Sequence, residues 1–169
     1  MVYFKKIAYK GKYHDDEAIP TLVSYITNPE KTPSKIIYGV KVDMDRIADS
    51  MIDVAEKYKK NKRLRLHHFI LSFDSKYGEE LDLIDQVVKA VCDEMGKVYQ
   101  IVAAVHEKTD NPHIHFAFNA VSFVNGYKYR GSITEYWKLV HTIEDILDKF
   151  DLFPVVPVKY RLNPSDPHE

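Results

Sequence analysis

The chain alternates between segments with helical spacing and segments with strand-like spacing of hydrophobic residues. Apolar positions recur every three or four residues, as in amphipathic helices, in four segments: 15–26, 47–58, 79–96 and 132–150. Short apolar runs flanked by turn residues, which are typical of strands, occupy five segments: 35–42, 65–73, 98–106, 113–121 and 153–161. The last of these contains prolines, which restrict it to the edge of a sheet. Helices interleaved with strands predict a mixed α+β fold.

Three histidines flank one predicted hairpin. His106 ends a strand, and a Lys-Thr-Asp-Asn-Pro sequence, which is typical of a turn, separates it from His113 and His115. Because side chains alternate along a strand, the last two histidines share a face, and the antiparallel return brings His106 beside them. Three imidazoles that leave coordination positions open are the ligand set of a catalytic metal ion. The alternative is a surface pair, which isolated His-x-His sequences form more often.

The histidine segment resembles the third motif of the relaxase and mobilization nuclease family, one of the His-hydrophobic-His (HUH) endonucleases. The matching residues are His106, His113, His115 and Asn119. Two further segments resemble motifs of the family, and all three motifs follow one another in the same order as in the family. Residues 24–32 are similar to its nucleophile segment, and residues 68–73 are similar to its second strand. The likeness extends from about residue 19 to about residue 154, and three separated matches are more specific than any one of them.

The resemblance implies a particular form of the α+β fold. We expect a ferredoxin-like two-layer sandwich, with a mainly antiparallel sheet of about five strands, helices on one face and the histidine strands at the centre. Residues 1–160 are expected to form a single nuclease domain, since 169 residues suffice for one core. Residues 161–169, which are rich in proline and polar residues, are expected to form a disordered tail.

The resemblance also implies an activity. Such a relaxase is a metal-dependent nickase that cuts single-stranded DNA at an origin of transfer through a 5′-phosphotyrosine and can rejoin it, which initiates conjugative transfer. Tyr25 would be the nucleophile, although composition alone does not select it among 12 tyrosines. The histidine triad would hold Mn²⁺ or Mg²⁺. Imidazole ligands favour transition ions over magnesium, so Mn²⁺ is the better fit.

Three polar residues are candidates for supporting roles around the triad. Asp110 is the second candidate catalytic residue, because a carboxylate can accept a hydrogen bond from a ligand histidine and fix its orientation. It is equally well explained as a turn residue. His68 and Asn119 are candidates for contacts behind the ligands. The alternatives are a hydrogen-bonded core histidine for the first and strand-end hydrogen bonding for the second.

Four residues are candidate DNA contacts. Lys31 and Ser72 lie in the two segments that match the family, while Arg63 and Arg65 belong to a dense basic run at 57–65. A solvated helix end would explain the run equally well. The net charge of −1 and the pI near 6.7 argue against a protein that coats DNA indiscriminately.

Composition places further bounds on the chain. No apolar run approaches the roughly 20 residues needed to span a bilayer, so we expect a cytoplasmic protein without membrane insertion. The single cysteine, Cys92, excludes an internal disulfide. The partners implied by the resemblance are single-stranded DNA, accessory mobilization proteins and a coupling protein. Relaxases usually continue beyond the nuclease domain, so both a minimal nuclease and a piece of a longer protein stay open.

Two other functions remain open. Rolling-circle replication initiators use the same histidine pair and a tyrosine, but the tyrosine ordinarily follows the histidines, whereas Tyr25 precedes them. A catalytically inactive single-stranded DNA-binding module would keep the fold without turnover. Metal dependence separates the latter from an enzyme, because a chelator should abolish cleavage and should affect simple binding little.

Overall fold

The computed structural model describes residues 1–7 and 13–158, which form one mixed sheet with four helices. The strands are β1 (Val2–Ile7), β2 (Ile37–Val40), β3 (Leu66–Phe73), β4 (Ile101–His106), β5 (His113–Asn119) and β6 (Val155–Pro157). The helices are α1 (Ala18–Ile26), α2 (Ile47–Lys57), α3 (Leu81–Met95) and α4 (Ile133–Asp148). The prediction of a mixed α+β fold is confirmed.

The six strands lie in the order β2-β4-β5-β3-β1-β6. Every neighbouring pair is antiparallel except β1 and β6, which run parallel. The segment with prolines at 154 and 157 forms an edge strand, as predicted. The sixth strand, beyond the five predicted, is β1, whose aromatic and lysine residues gave only weak periodicity. The C-terminal part of the predicted edge strand and the predicted tail at 161–169 lie outside the described residues.

The expectation that all helices cover one face of the sheet is wrong. Helices α3 and α4 pack on one face, and their apolar residues join the phenylalanines of β3 and β5 in the larger core cluster. Helices α1 and α2 pack on the opposite face, where they contact a smaller cluster that includes Leu66, Val102, Ala104 and Ala117. The sheet is therefore the middle layer of three.

The central strands explain this arrangement, because they are apolar on both sides. In β4 the side chains of Ile101, Ala103 and Val105 face α3 and α4, while those of Val102 and Ala104 face α1 and α2. All five side chains are fully buried. A strand that is hydrophobic on both faces must be covered on both, which requires helices above and below the sheet.

The histidine strands lie inside the sheet, as expected. Strands β4 and β5 form a hairpin whose register pairs His106 with His113 and Ala104 with His115. On the other side of β5, strand β3 pairs Ser72 with His113. The hairpin derived from the turn sequence is thus confirmed. Within the described part of the chain, no helix is both long enough and apolar enough to cross a bilayer.

Asn119 has a structural role at the far end of β5. Its amide nitrogen donates to the carbonyl oxygen of Met51 in α2 at 2.9 Å and to Oε1 of Gln100 at 2.8 Å. Its amide oxygen accepts from the backbone N–H of Val121 at 3.0 Å. The side chain is buried, so these bonds replace water and tie the sheet to α2.

We expect the substitution Asn119→Ala to lower the free energy of unfolding by about 1–3 kcal/mol, because it leaves buried polar groups without their partner. Urea denaturation measures this change. Asn61→Ala is the control, since Asn61 is exposed, and it should have little effect. Equal stability of the two variants would contradict the structural role of Asn119.

Candidate metal centre and active-site cleft

A cleft of about 650 Å³ lies where the C-terminal end of α1 meets the turn end of the β4–β5 hairpin. Its lining contains six residues that the sequence singled out: Tyr25, Lys31, Ser72, His106, Asp110 and His113. These residues come from four separate parts of the chain. Folding alone brings them together, and the fully buried His115 lies beside the two cleft histidines.

The three histidines form a tight cluster on the α1 side of the sheet. The ring centroid of His115 lies 4.3 Å from that of His106 and 4.9 Å from that of His113. One nitrogen from each ring can be chosen so that all three lie within 4.8 Å of one another. This spacing is suited to a single bound ion with small adjustments of the rings.

Backbone carbonyls fix the orientation of two of these rings. Nε2 of His106 donates to the carbonyl oxygen of Ile26, the last residue of α1, at 2.9 Å. Nδ1 of His113 lies 3.1 Å from the carbonyl oxygen of Asn111, to which it can only donate. A neutral imidazole that donates through one nitrogen carries its lone pair on the other, so each ring keeps one nitrogen as a potential ligand.

The third ring is held by another histidine. Nδ1 of His115 lies 2.8 Å from Nε2 of His68, and the two rings stack with centroids 5.1 Å apart. Nε2 of His115 is buried and has no hydrogen-bond partner among the described residues. A buried imidazole nitrogen without a hydrogen-bond partner destabilises the folded protein unless a ligand binds it. The donor set therefore fits a divalent metal ion.

Burial keeps His106 and His115 neutral. It lowers the pKa of His106 to about 4, against a hydrogen bond to the Ile26 carbonyl that acts in the opposite direction. Burial also lowers the pKa of His115 well below its usual value, and the neighbouring histidines add to this effect. A neutral imidazole is the form that binds a metal ion, so these two side chains are ready for coordination at neutral pH.

Tyr25 stands next to this cluster. Its ring packs edge-on against His106, with centroids 5.7 Å apart, and against His115, with centroids 5.5 Å apart. Nζ of Lys31 lies 4.2 Å from the centroid of the Tyr25 ring. The tyrosine is thus enclosed between imidazoles and a cation, and its half-buried side chain forms part of the cleft wall.

Three other predicted site residues are not brought to the cleft. Asn119 lies four residues beyond His115, about 13 Å along the strand, where it bonds to α2. Arg65 lies seven residues before Ser72, at the opposite end of β3, and its Nε is 2.9 Å from a carboxylate oxygen of Asp16. Arg63 is two residues further away. The antiparallel register separates these residues from the histidines.

Tyr13 is a contact of the site that the sequence did not reveal. Its hydroxyl lies 2.9 Å from Nδ1 of His68, on the side away from His115. The two residues are 55 positions apart, and Tyr13 stands in a segment without clear periodicity. The sequence carried no indication that would have distinguished it from the other tyrosines.

Comparison with known proteins supports one family. A sequence model for the relaxase family, described as the MobA/VirD2-like nuclease domain, matches residues 25–152. Protein TraI of Escherichia coli is 26% identical over 106 residues, which are 59% of this chain and 14% of that protein. The chain thus spans a small part of this relative. No solved structure matches the chain.

We expect the substitution His115→Ala to weaken Mn²⁺ binding at least about tenfold, because it removes a buried ligand nitrogen and opens the cluster. Isothermal titration calorimetry measures the affinity. His141→Ala is the control, since His141 is exposed on α4, where it contacts Glu144, and it should bind Mn²⁺ like the wild type. Unchanged affinity in the His115 variant would remove this residue from the ligand set.

We also expect the metal-free protein to lose stability as the pH falls from about 6.5 to about 5. Burial lowers the pKa of His106 and His115, and it lowers that of His67 to about 3. The unfolded chain therefore takes up protons that the folded chain does not, at about 1.4 kcal/mol per pH unit for each proton. The stability from these histidines is complete above pH 6.5 and is lost on acidification.

Urea unfolding in the presence of a chelator, repeated across this pH range, measures the slope. His67→Leu should give a shallower slope, because the unfolded chain then binds one proton fewer. An identical slope in this variant and in the wild type would contradict the conclusion that His67 is buried as a neutral imidazole.

Proposed function

Because the chain belongs to the relaxase family with the MobA/VirD2-like nuclease domain, we propose that it nicks single-stranded DNA at an origin of transfer through a tyrosine nucleophile. The observation that carries this proposal is the contact of Tyr25 with His106 and His115 in one cleft. These residues are 81 and 90 positions apart in the sequence, and their meeting combines a nucleophile with a metal-ligand set.

His106, His113 and His115 would hold a divalent ion, with Mn²⁺ a better match to imidazole than Mg²⁺. When bound, such an ion neutralises the charge that develops on the non-bridging phosphate oxygens. His106 and His115 contribute by staying neutral. All three imidazoles keep their orientation through hydrogen bonds to Ile26, Asn111 and His68.

The hydroxyl oxygen of Tyr25 attacks the scissile phosphorus. A bond from this oxygen to phosphorus forms while the bond from phosphorus to the 3′ oxygen breaks. The tyrosine proton is lost to a base, and the departing 3′ oxygen gains a proton to become a hydroxyl. One phosphodiester is exchanged for another, so a 5′-phosphotyrosine forms without loss of bond energy and the strand can be rejoined.

Lys31 and Asp110 assist this step from the walls of the cleft. The ammonium group of Lys31 lies over the Tyr25 ring, where it favours a developing phenolate and attracts the substrate phosphate. Asp110 is exposed in the same cleft, and its carboxylate can accept the tyrosine proton, directly or through water. Ser72 offers a hydroxyl for a hydrogen bond to the DNA backbone.

In the cell, this reaction would start the transfer of a mobile genetic element from the cytoplasm. Protein TraI is far longer than this chain, which covers 14% of it. We propose that the protein also contacts accessory mobilization proteins and a coupling protein. Arg63 and Arg65 would at most contact DNA outside the cleft, because they lie at the other end of β3.

We expect Tyr25→Phe to abolish covalent DNA attachment and to leave single-strand binding unchanged, since only the attacking oxygen is removed. The protein is incubated with Mn²⁺ and a pool of single-stranded DNA, denatured, and digested to find any peptide that carries nucleotide mass. Tyr38→Phe is the matched control, because the Tyr38 hydroxyl bonds to Asp93 on a different surface, and it should react like the wild type.

An adduct on a residue other than Tyr25 would overturn the assignment of the nucleophile. Single-strand binding that persists in chelator, without any adduct from a DNA pool that contains the cognate origin, would favour the inactive binding module.

A further inference from the structure

A line of hydrogen bonds leads from the metal-ligand cluster to the N-terminal part of the chain. Nδ1 of His115 lies 2.8 Å from Nε2 of His68, and Nδ1 of His68 lies 2.9 Å from the hydroxyl oxygen of Tyr13. Both nitrogens of the His68 ring are therefore engaged, one with a metal-ligand histidine and one with a phenol. Two consecutive hydrogen bonds of this kind fix the orientation of the rings, and they also fix which ring nitrogen carries each proton.

The fold holds this line firmly in place. His68 lies on β3 directly opposite Ala117, two residues beyond His115 on β5, and it is 3% exposed. Tyr13 has a φ of 62°, an unusual backbone conformation for a bulky residue. Its carbonyl oxygen accepts a hydrogen bond from the backbone N–H of Arg65 at 2.7 Å, which anchors it beside the start of β3. Strained conformations of this kind persist where surrounding contacts fix them.

The chemistry of a ligand imidazole determines the direction of these bonds. If the orphaned Nε2 of His115 is to bind a metal ion, its lone pair must lie there, and the ring proton must then lie on Nδ1. That proton is donated to Nε2 of His68, so the proton of His68 must lie on its own Nδ1. The oxygen of Tyr13 accepts it.

We propose that His68 and Tyr13 are positioning residues that hold the His115 imidazole in the Nδ1–H tautomer, which leaves Nε2 available for the metal ion. The inference rests on the proposed metal-dependent function and names residues that act behind the ligands. The reverse direction would protonate Nε2 of His115 and prevent coordination. The Tyr13 hydroxyl can donate or accept, and in the productive direction its oxygen accepts the His68 proton, which would otherwise be buried without a partner.

The first test compares Mn²⁺ affinities by isothermal titration calorimetry. His68→Leu should weaken binding about 10- to 100-fold, the usual effect of losing the partner of a ligand histidine, and Tyr13→Phe should weaken it roughly tenfold. His68→Gln should recover most of the affinity, because its amide oxygen can accept the His115 proton. His67→Leu is the matched control and should bind like the wild type, since His67 faces Phe118 and Tyr129 on the opposite side of the sheet.

The second test locates the protons directly. In the Zn²⁺-loaded protein, nitrogen NMR of the imidazole rings should find His115 and His68 protonated on Nδ1. In Tyr13→Phe the His68 signal should shift. A proton on Nε2 of His68 in the loaded wild type, or wild-type affinity in both His68→Leu and Tyr13→Phe, would overturn the proposal.

Neither measurement involves DNA, so failure of this inference is distinct from failure of the nickase proposal. A protein with the expected affinities and tautomers that forms no adduct on Tyr25 would keep the positioning role and lose the nickase activity. A wild-type chain that takes up neither Mn²⁺ nor Zn²⁺ would overturn the positioning role.

Discussion

The pairing of His106 with His113 across the β4–β5 hairpin is the constraint on which the site depends. Because side chains alternate along a strand, a shift of this register by one residue would turn the β5 histidines toward the core beneath α3 and α4. The same shift would move Phe116 and Phe118 out of that core, where both are fully buried. The register that fills the core is therefore also the register that assembles the histidines.

Neutrality is the second requirement, since three imidazoles cannot be charged side by side in a buried place. Each ring of the triad has one nitrogen within hydrogen-bonding distance of a fixed partner: a backbone carbonyl for two of them and His68 for the third. Hydrogen bonds to these partners offset part of the free-energy cost of burying the rings, and they set the tautomer at the same time. Stability and readiness for metal binding thus come from the same hydrogen bonds.

The sequence was most informative where local spacing controls the outcome. Strand alternation and turn residues were enough to predict that His106 meets His113. The family resemblance offered Ser72, which lines the cleft, and it also offered Asn119, which lies too far along β5 to reach it. The placement of Tyr13 depends on tertiary packing, which no local pattern encodes. The apolar residues on both sides of β4 were the available indication of the second helical layer.

Tyr25, the proposed nucleophile, is connected to the histidine cluster through the packing of α1. This helix lies on the smaller core through Ile19, Leu22 and Ile26, above the short side chains of Ala104 and Ala117. Small residues allow a helix to lie close to a sheet, and the last carbonyl of α1 then reaches His106. Tyr25, one residue earlier, is carried to the same place. Any loosening of this apolar contact would separate the tyrosine from the histidines, so the geometry of the proposed reaction is set by hydrophobic packing as much as by the polar residues.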